Sequence, residues 1–225
     1  MNRRSLVFLL AALGAMLAGC STASSGSIPE PRNPGLKLQG ATDARPAAFD
    51  RVLLEPVQLQ FRAVAPLAAT AAGIPGTRTA FPVSERARKA LAADTNRILR
   101  EELGKSTRFE LTEQAGPGVL VIRPALRDIV SRTPPEEPPG RSEVLLDRVG
   151  EATLVLDFVD GASGRLLGTA SDRRSAEGSF GSASFGAIRA NSVEVGQEVR
   201  RVLRRWGSSL RKRAEQLQAV ARPLD

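Results

Sequence analysis

Residues 151–171 read Glu-Ala-Thr-Leu-Val-Leu-Asp-Phe-Val-Asp-Gly-Ala-Ser-Gly-Arg-Leu-Leu-Gly-Thr-Ala-Ser. Ala152, Leu154, Leu156 and Phe158 alternate with Thr153, Val155 and Asp157, the period of two of a strand with one face in a core. Asp160-Gly161-Ala162-Ser163-Gly164 is turn chemistry and sends the chain back into Arg165 to Ser171, so the stretch is a β-hairpin. Upstream, Val119-Leu120-Val121-Ile122, continuing through Leu126 to Val130, starts apolar on both faces, as a central strand does. Phe109 to Leu111 is a short strand. Phe49 to Phe61 is another, at an edge or bulged at Pro56, which has no N–H for a ladder.

Two helical patterns flank these strands. Ser84 is an N-cap for a helix running to Leu103, with Gly104 as its stop and Ala87, Leu91, Ile98, Leu99 and Leu103 on one stripe. A second helix, capped at Asn191 or Ser192, runs to Leu217 with Val195, Val199, Val202, Leu203, Trp206, Leu210 and Leu217 on its apolar side. The expected fold class is therefore α/β (α+β): a two-layer sandwich in which a mostly antiparallel or mixed sheet is covered by two helices. A Pro-rich loop is expected over 131–148 and a Gly/Ser/Ala-rich one over 178–190, the second carrying Phe180 and Phe185. The expected division is 1–19 signal peptide, 20–45 tether, 46–218 one domain and 219–225 a C-terminal tail. No internal repeat is visible.

The N-terminus carries an address. Arg3 and Arg4 form a positive region, Leu6 to Leu17 an apolar run, and Leu17-Ala18-Gly19-Cys20 closes it with small residues before a cysteine. As a helix that run reaches only about 18 Å, short of the ~30 Å hydrocarbon core of a bilayer, so it reads as a cleaved signal. Leu17-Ala18-Gly19-Cys20 resembles the bacterial lipobox. That resemblance implies transfer of diacylglycerol to the Cys20 sulfur, cleavage between Gly19 and Cys20, and acylation of the new amino group. Two or three acyl chains, at ~0.8 kcal/mol per buried CH₂, hold a protein on a bilayer where one chain is marginal. Ser21 stands where an Asp would signal inner-membrane retention, so the expected location is the periplasmic face of the outer membrane. The stretch from Ser21 to Arg45, rich in Ser, Gly, Pro and Ala, reads as a tether.

Composition narrows the chemistry. The 225 residues include no His, no Tyr and one Cys, which removes His-based acid/base catalysis, His-assisted Ser or Cys triads, Cys/His metal sites and intrachain disulfides. Gly181-Ser182-Ala183-Ser184-Phe185-Gly186 misses the nucleophile elbow, because Ser184 has Ser182 where Gly is required. Carboxylates are what remains: Asp128, Glu136, Glu137, Asp157 and Asp160. Asp157 and Asp160 straddle a strand end, and Asp160 reads as a turn former. No Gly-rich phosphate loop is present. The reading assigns no catalytic residue, no metal and no cofactor.

The formal charge is +8, and an exported protein would not meet nucleic acid. The last helix is the most basic element, with Arg200, Arg204 and Arg211 on one face and Arg201, Arg205 and Lys212 on another. The plain reading is a solvated face; the functional one is an anionic docking surface through Arg200, Arg204 and Arg211.

Several segments in this order also resemble a bacterial lipoprotein family, domain of unknown function 3313. They are Phe49-Asp50-Arg51-Val52-Leu53-Leu54-Glu55-Pro56-Val57, Leu99-Arg100-Glu101-Glu102-Leu103, Gly116-Pro117-Gly118-Val119-Leu120, Ala125-Leu126-Arg127-Asp128-Ile129 and the Asp160-to-Leu167 hairpin. The resemblance covers most of 49–217 and implies an envelope lipoprotein of α/β type, with no activity to carry over. The expected function is thus a non-catalytic interaction or accessory module, held in the membrane by its lipid. Its partner would be an envelope protein, lipopolysaccharide or peptidoglycan. The alternative is a carboxylate-dependent hydrolase acting on glycan, which needs two facing acids about 5–10 Å apart in a cleft.

Overall fold

Strand β5 (Val119–Ser131) is the axis on which the rest is assembled. A computed structural model describes residues 36–39, 48–64, 80–134, 145–146, 148–177 and 188–221. All lie in the second of two compact units, 33–225; the first, 1–32, is outside the described residues. The elements are β1 (Lys37–Gln39), β2 (Arg51–Leu54), β3 (Gln58–Phe61), α1 (Glu85–Leu103), β4 (Glu110–Thr112), β5, β6 (Leu145–Leu146), β7 (Arg148–Asp160), β8 (Leu166–Glu177), β9 (Ile188–Arg189) and α2 (Ser192–Ala221). This is the expected α+β class: a mixed sheet covered by two helices.

The main sheet runs β1-β8-β7-β5-β2-β4, with β3 also on β5. The β5–β7, β7–β8 and β1–β8 pairs are antiparallel, whereas β2–β5, β2–β4 and β3–β5 are parallel. The hairpin is the expected one. Asp160 accepts from the Ala162 amide at 3.0 Å and from the Ser163 hydroxyl at 2.8 Å, so its carboxylate builds the turn. Both hydrogen bonds hold it ionised, its pKa below the usual range.

Pro56 splits the first long strand into β2 and β3. The Glu55 amide still reaches Ile122 O, but the Val57 amide leaves the ladder and donates to Asn96 Oδ1 of α1 at 2.8 Å. A break forced by proline thus becomes the contact that seats α1 beside β3. α1 begins as its sequence predicts, with Ser84 Oγ accepting from the Ala87 amide at 3.2 Å. α2 is capped by Asn191, whose Oδ1 accepts from the Val193 and Glu194 amides. Leu99, Leu103, Leu203 and Leu210 bury against Leu120, Ile122, Leu126, Leu154 and Phe158 in one core. A smaller apolar cluster of Val119, Val121, Val159 and Leu53 occupies the other face of the sheet.

Two expected boundaries move. Residues 20–45 were expected to be tether, yet Lys37–Gln39 pair with Thr169–Ser171 as an edge strand, and buried Leu36 joins the core. The alternation of Leu36 and Leu38 with Lys37 and Gln39 is a strand signal, but Gly and Pro on either side masked it. At the other end α2 continues to Ala221, past the expected end of the domain at 218, with Gln218 buried and donating to Phe49 O and Arg108 O. In the expected loops, β6 and β9 pair with each other as a separate two-stranded sheet.

Candidate functional site

Cys20, Gly19 and the rest of the lipobox lie outside the described residues, as do Glu136, Glu137, Phe180, Phe185 and the Gly181–Gly186 stretch. The docking candidates are described. Arg200 lies over Gly196 and pairs with Asp94 of α1 at 3.6 Å. Arg211 pairs with Glu215 at 3.4 Å, and Glu215 accepts from Ser106, just beyond α1, at 2.9 Å. The stripe of Arg200, Arg204 and Arg211 therefore borders α1, and of the three Arg204 is exposed while Arg200 and Arg211 are half-buried. The outward face of α2 is the other one, bearing Arg201, Arg205 and Lys212. Arg201 pairs with Glu198 at 2.8 Å. Among the described residues, no ion pair engages Arg204, Arg205 or Lys212.

The densest cluster of titratable groups sits where β5 bulges. Arg127 faces Thr153 of β7, but Val130 faces Glu151, so Asp128 and Ile129 together oppose Ala152. The same extra residue appears against β3, whose partners go from Leu126 to Ile129 while β3 advances from Leu59 to Phe61. Asp128 adopts φ 53°, the left-handed region that Asp tolerates better than most side chains. This turns its carboxylate toward Arg62, just beyond β3, and Arg173 of β8. Arg62 grips it with Nε at 2.7 Å and Nη2 at 2.6 Å, and Arg173 Nη1 adds a bond of 2.7 Å. Arg173 continues to Glu151 at 2.9 Å, and Arg132 reaches Glu151 at 3.2 Å.

Three guanidinium groups thus bind two carboxylates. The Arg62 and Arg173 hydrogen bonds hold Asp128 far below the usual carboxylate range. At Glu151 burial pushes the other way, but the Arg173 bond and the Arg173 and Arg132 charges outweigh it and leave its pKa lowered. Neither acid can carry a proton near neutrality, so the arrangement ties four strands together and is unsuited to general acid work. Asp157 accepts from the Thr169 hydroxyl at 2.6 Å across the hairpin. Among the described residues no group of His, Cys, Asp and Glu could hold a metal ion, and no helix is long and apolar enough to cross a membrane. The hollow between Ala48, Phe49, Gly118, Asp160 and Leu167 measures about 10 Å³, room for one water.

In the sequence Asp128 stands only as one isolated carboxylate. Arg62 and Arg173 lie far from it along the chain and meet it through strand register and a one-residue bulge, and Arg173 links it to Glu151, which Arg132 also reaches. No spacing rule announces that meeting.

These elements define an α+β domain with one mixed sheet beneath two helices. A family model described as Protein of unknown function (DUF3313) matches residues 38–193, and the chain belongs to that family. No curated protein matches. Among solved structures, the PelC dodecamer from Paraburkholderia phytofirmans is similar at 11% identity and TM-score 0.33, over 78% of this chain and 96% of that one. A Xanthomonas campestris protein of the family model DUF330 is similar at 12% identity and TM-score 0.38, over 78% of this chain and 92% of that one.

Proposed function

We propose that this protein is a lipoprotein held through acylated Cys20 on the periplasmic face of the outer membrane, where its domain works as a non-catalytic interaction or accessory module of the envelope. The observation that carries this reading is the order of residues at the N-terminus: Arg3 and Arg4, an apolar run too short to span, then Leu17-Ala18-Gly19-Cys20. A thiol is the soft nucleophile that lipid transfer requires, and small residues before it let an extended chain enter a protease groove. The state of four described carboxylates supports the non-catalytic part. Asp128 and Glu151 are saturated by arginine, Asp160 is committed to a turn and Asp157 to Thr169.

The test is Cys20→Ser expressed beside the wild type, with radiolabelled palmitate feeding and separation of the two membranes. The wild type should carry label and sediment with outer membrane, while the variant should be unlabelled, retain its signal and leave that fraction. Equal labelling and equal sedimentation of the two forms would refute the anchor.

A further inference from the structure

The basic residues of α2 divide into those already engaged and those that are not. Arg200, Arg201 and Arg211 pair with Asp94, Glu198 and Glu215, and Arg213 donates to Leu36 O at 3.1 Å. Arg204, Arg205 and Lys212 are exposed, and among the described residues no ion pair engages them. At 100° per residue, Arg205 and Lys212 nearly eclipse each other and Arg204 lies one side chain to the flank, so all three project within a single sector of the helix.

The Arg213 bond adds a second, independent fact. Leu36 is the first described residue, and its carbonyl is held against the C-terminal half of the same helix. Fifteen residues separate Leu36 from Cys20, at most on the order of 55 Å of chain. The described chain therefore begins beside the helix that carries the three unengaged cations.

We propose that Arg204, Arg205 and Lys212 of α2 rest on the anionic phospholipid headgroups of the leaflet that holds the Cys20 anchor, so that the domain lies helix side down with the far face of the sheet turned away. This orientation rests on the anchor reading above. Each basic residue near an anionic leaflet favours association by about fivefold, so three contribute roughly a hundredfold. That is too little to recruit a protein alone, and sufficient to orient one whose concentration at the surface is already fixed by lipid. Phosphate is the complementary chemistry, and headgroup phosphates are what a membrane-held chain meets first.

The wild-type sequence has one cysteine, so a second, introduced thiol can be labelled uniquely once Cys20 is acylated. Gln216→Cys places a fluorophore on the outer face of α2, and Gln58→Cys places one on the exposed side of β3, on the far face of the sheet. The full lipidated chains are reconstituted into vesicles of phosphatidylethanolamine with phosphatidylglycerol, or of phosphatidylcholine alone, and energy transfer to a headgroup acceptor is read. The expected result is greater transfer from position 216 than from 58 on the anionic vesicles. The difference should be lost on phosphatidylcholine, in high salt, and on combining Arg204→Glu, Arg205→Glu and Lys212→Glu. Equal transfer from both positions, or a difference that survives the triple change, overturns the orientation while leaving an acylated anchor intact. A position 216 shielded only after lipopolysaccharide or peptidoglycan fragments are added overturns it too, by naming a different occupant. A purified chain whose mass lacks acyl groups overturns the anchor and this orientation together.

Discussion

Trp206 of α2 donates from Nε1 to Asp172 Oδ2 of β8 at 3.0 Å, and Arg174 Nε meets the same oxygen at 2.6 Å. The Asp172 side chain is fully buried and that of Arg174 is 9% exposed, so a charged pair and an indole N–H fasten α2 to the sheet from inside the core. Truncating one member of a buried pair strands the other. Asp172→Ala should therefore cost about 3–5 kcal/mol. Trp206→Phe, which deletes one hydrogen bond to a charged acceptor, should cost about 1.5–3 kcal/mol. Urea unfolding followed by circular dichroism reads both. A Trp206→Phe variant as stable as wild type would show that the bond contributes nothing.

Gly207 lies where α2 crosses Glu102 of α1. A Cβ built there would stand 2.7 Å from Glu102 Cγ and 2.8 Å from its Cβ, atoms next to the backbone that cannot swing away. Gly207→Ala adds intrinsic helix propensity, worth about 1 kcal/mol at a free site. The overlap should reverse that gain and destabilise by about 1–3 kcal/mol. A raised melting temperature in Gly207→Ala would mean the helices are not in this close contact.

Asp128 has its carboxyl held below its ordinary value of 3.8, first by the Arg62 hydrogen bond and then by that of Arg173. A depressed folded pKa stabilises at pH values above the unfolded one, and the contribution fades as acid protonates the folded form. Asp128→Asn should then be less stable than wild type at pH 7, by about 1 kcal/mol for a half-exposed network, and the gap should begin to narrow below about pH 4. Asp128→Val should cost about a further 1–2 kcal/mol at all pH values, since a β-branched residue fits φ 53° poorly. The midpoints of urea unfolding at pH 7 and pH 3 separate the two effects; a gap for Asp128→Asn that grows in acid would contradict the network.

What could be read in the sequence follows from range. The β7–β8 hairpin, the central β5, the Ser84 cap and the stripes of α1 and α2 depend on neighbours within a few residues, and each stands where its pattern puts it, except that Ala87 at the start of the α1 stripe is exposed. Pro56 announced a fault in the first strand, though not that Asn96 would take the orphaned Val57 amide. β1 was hidden because three residues cannot outvote the Gly and Pro around them; only pairing with β8 makes them a strand. Trp206 read as one more apolar residue, because nothing nearby foretells that Asp172, in a different element, lies under its N–H. Which basic residues of α2 face outward is likewise not a local matter. Helical spacing groups Arg200 with Arg204 and Arg211, but which group faces outward depends on where α1 packs.

Acylation of Cys20 is the central claim, and intact-mass spectrometry of the protein extracted from its own membranes tests it most directly. The predicted result is a chain beginning at Cys20 whose mass exceeds that of the polypeptide by a diacylglyceryl group and an amide-linked acyl chain. A mature chain that begins elsewhere, or that begins at Cys20 with the bare polypeptide mass, would contradict it.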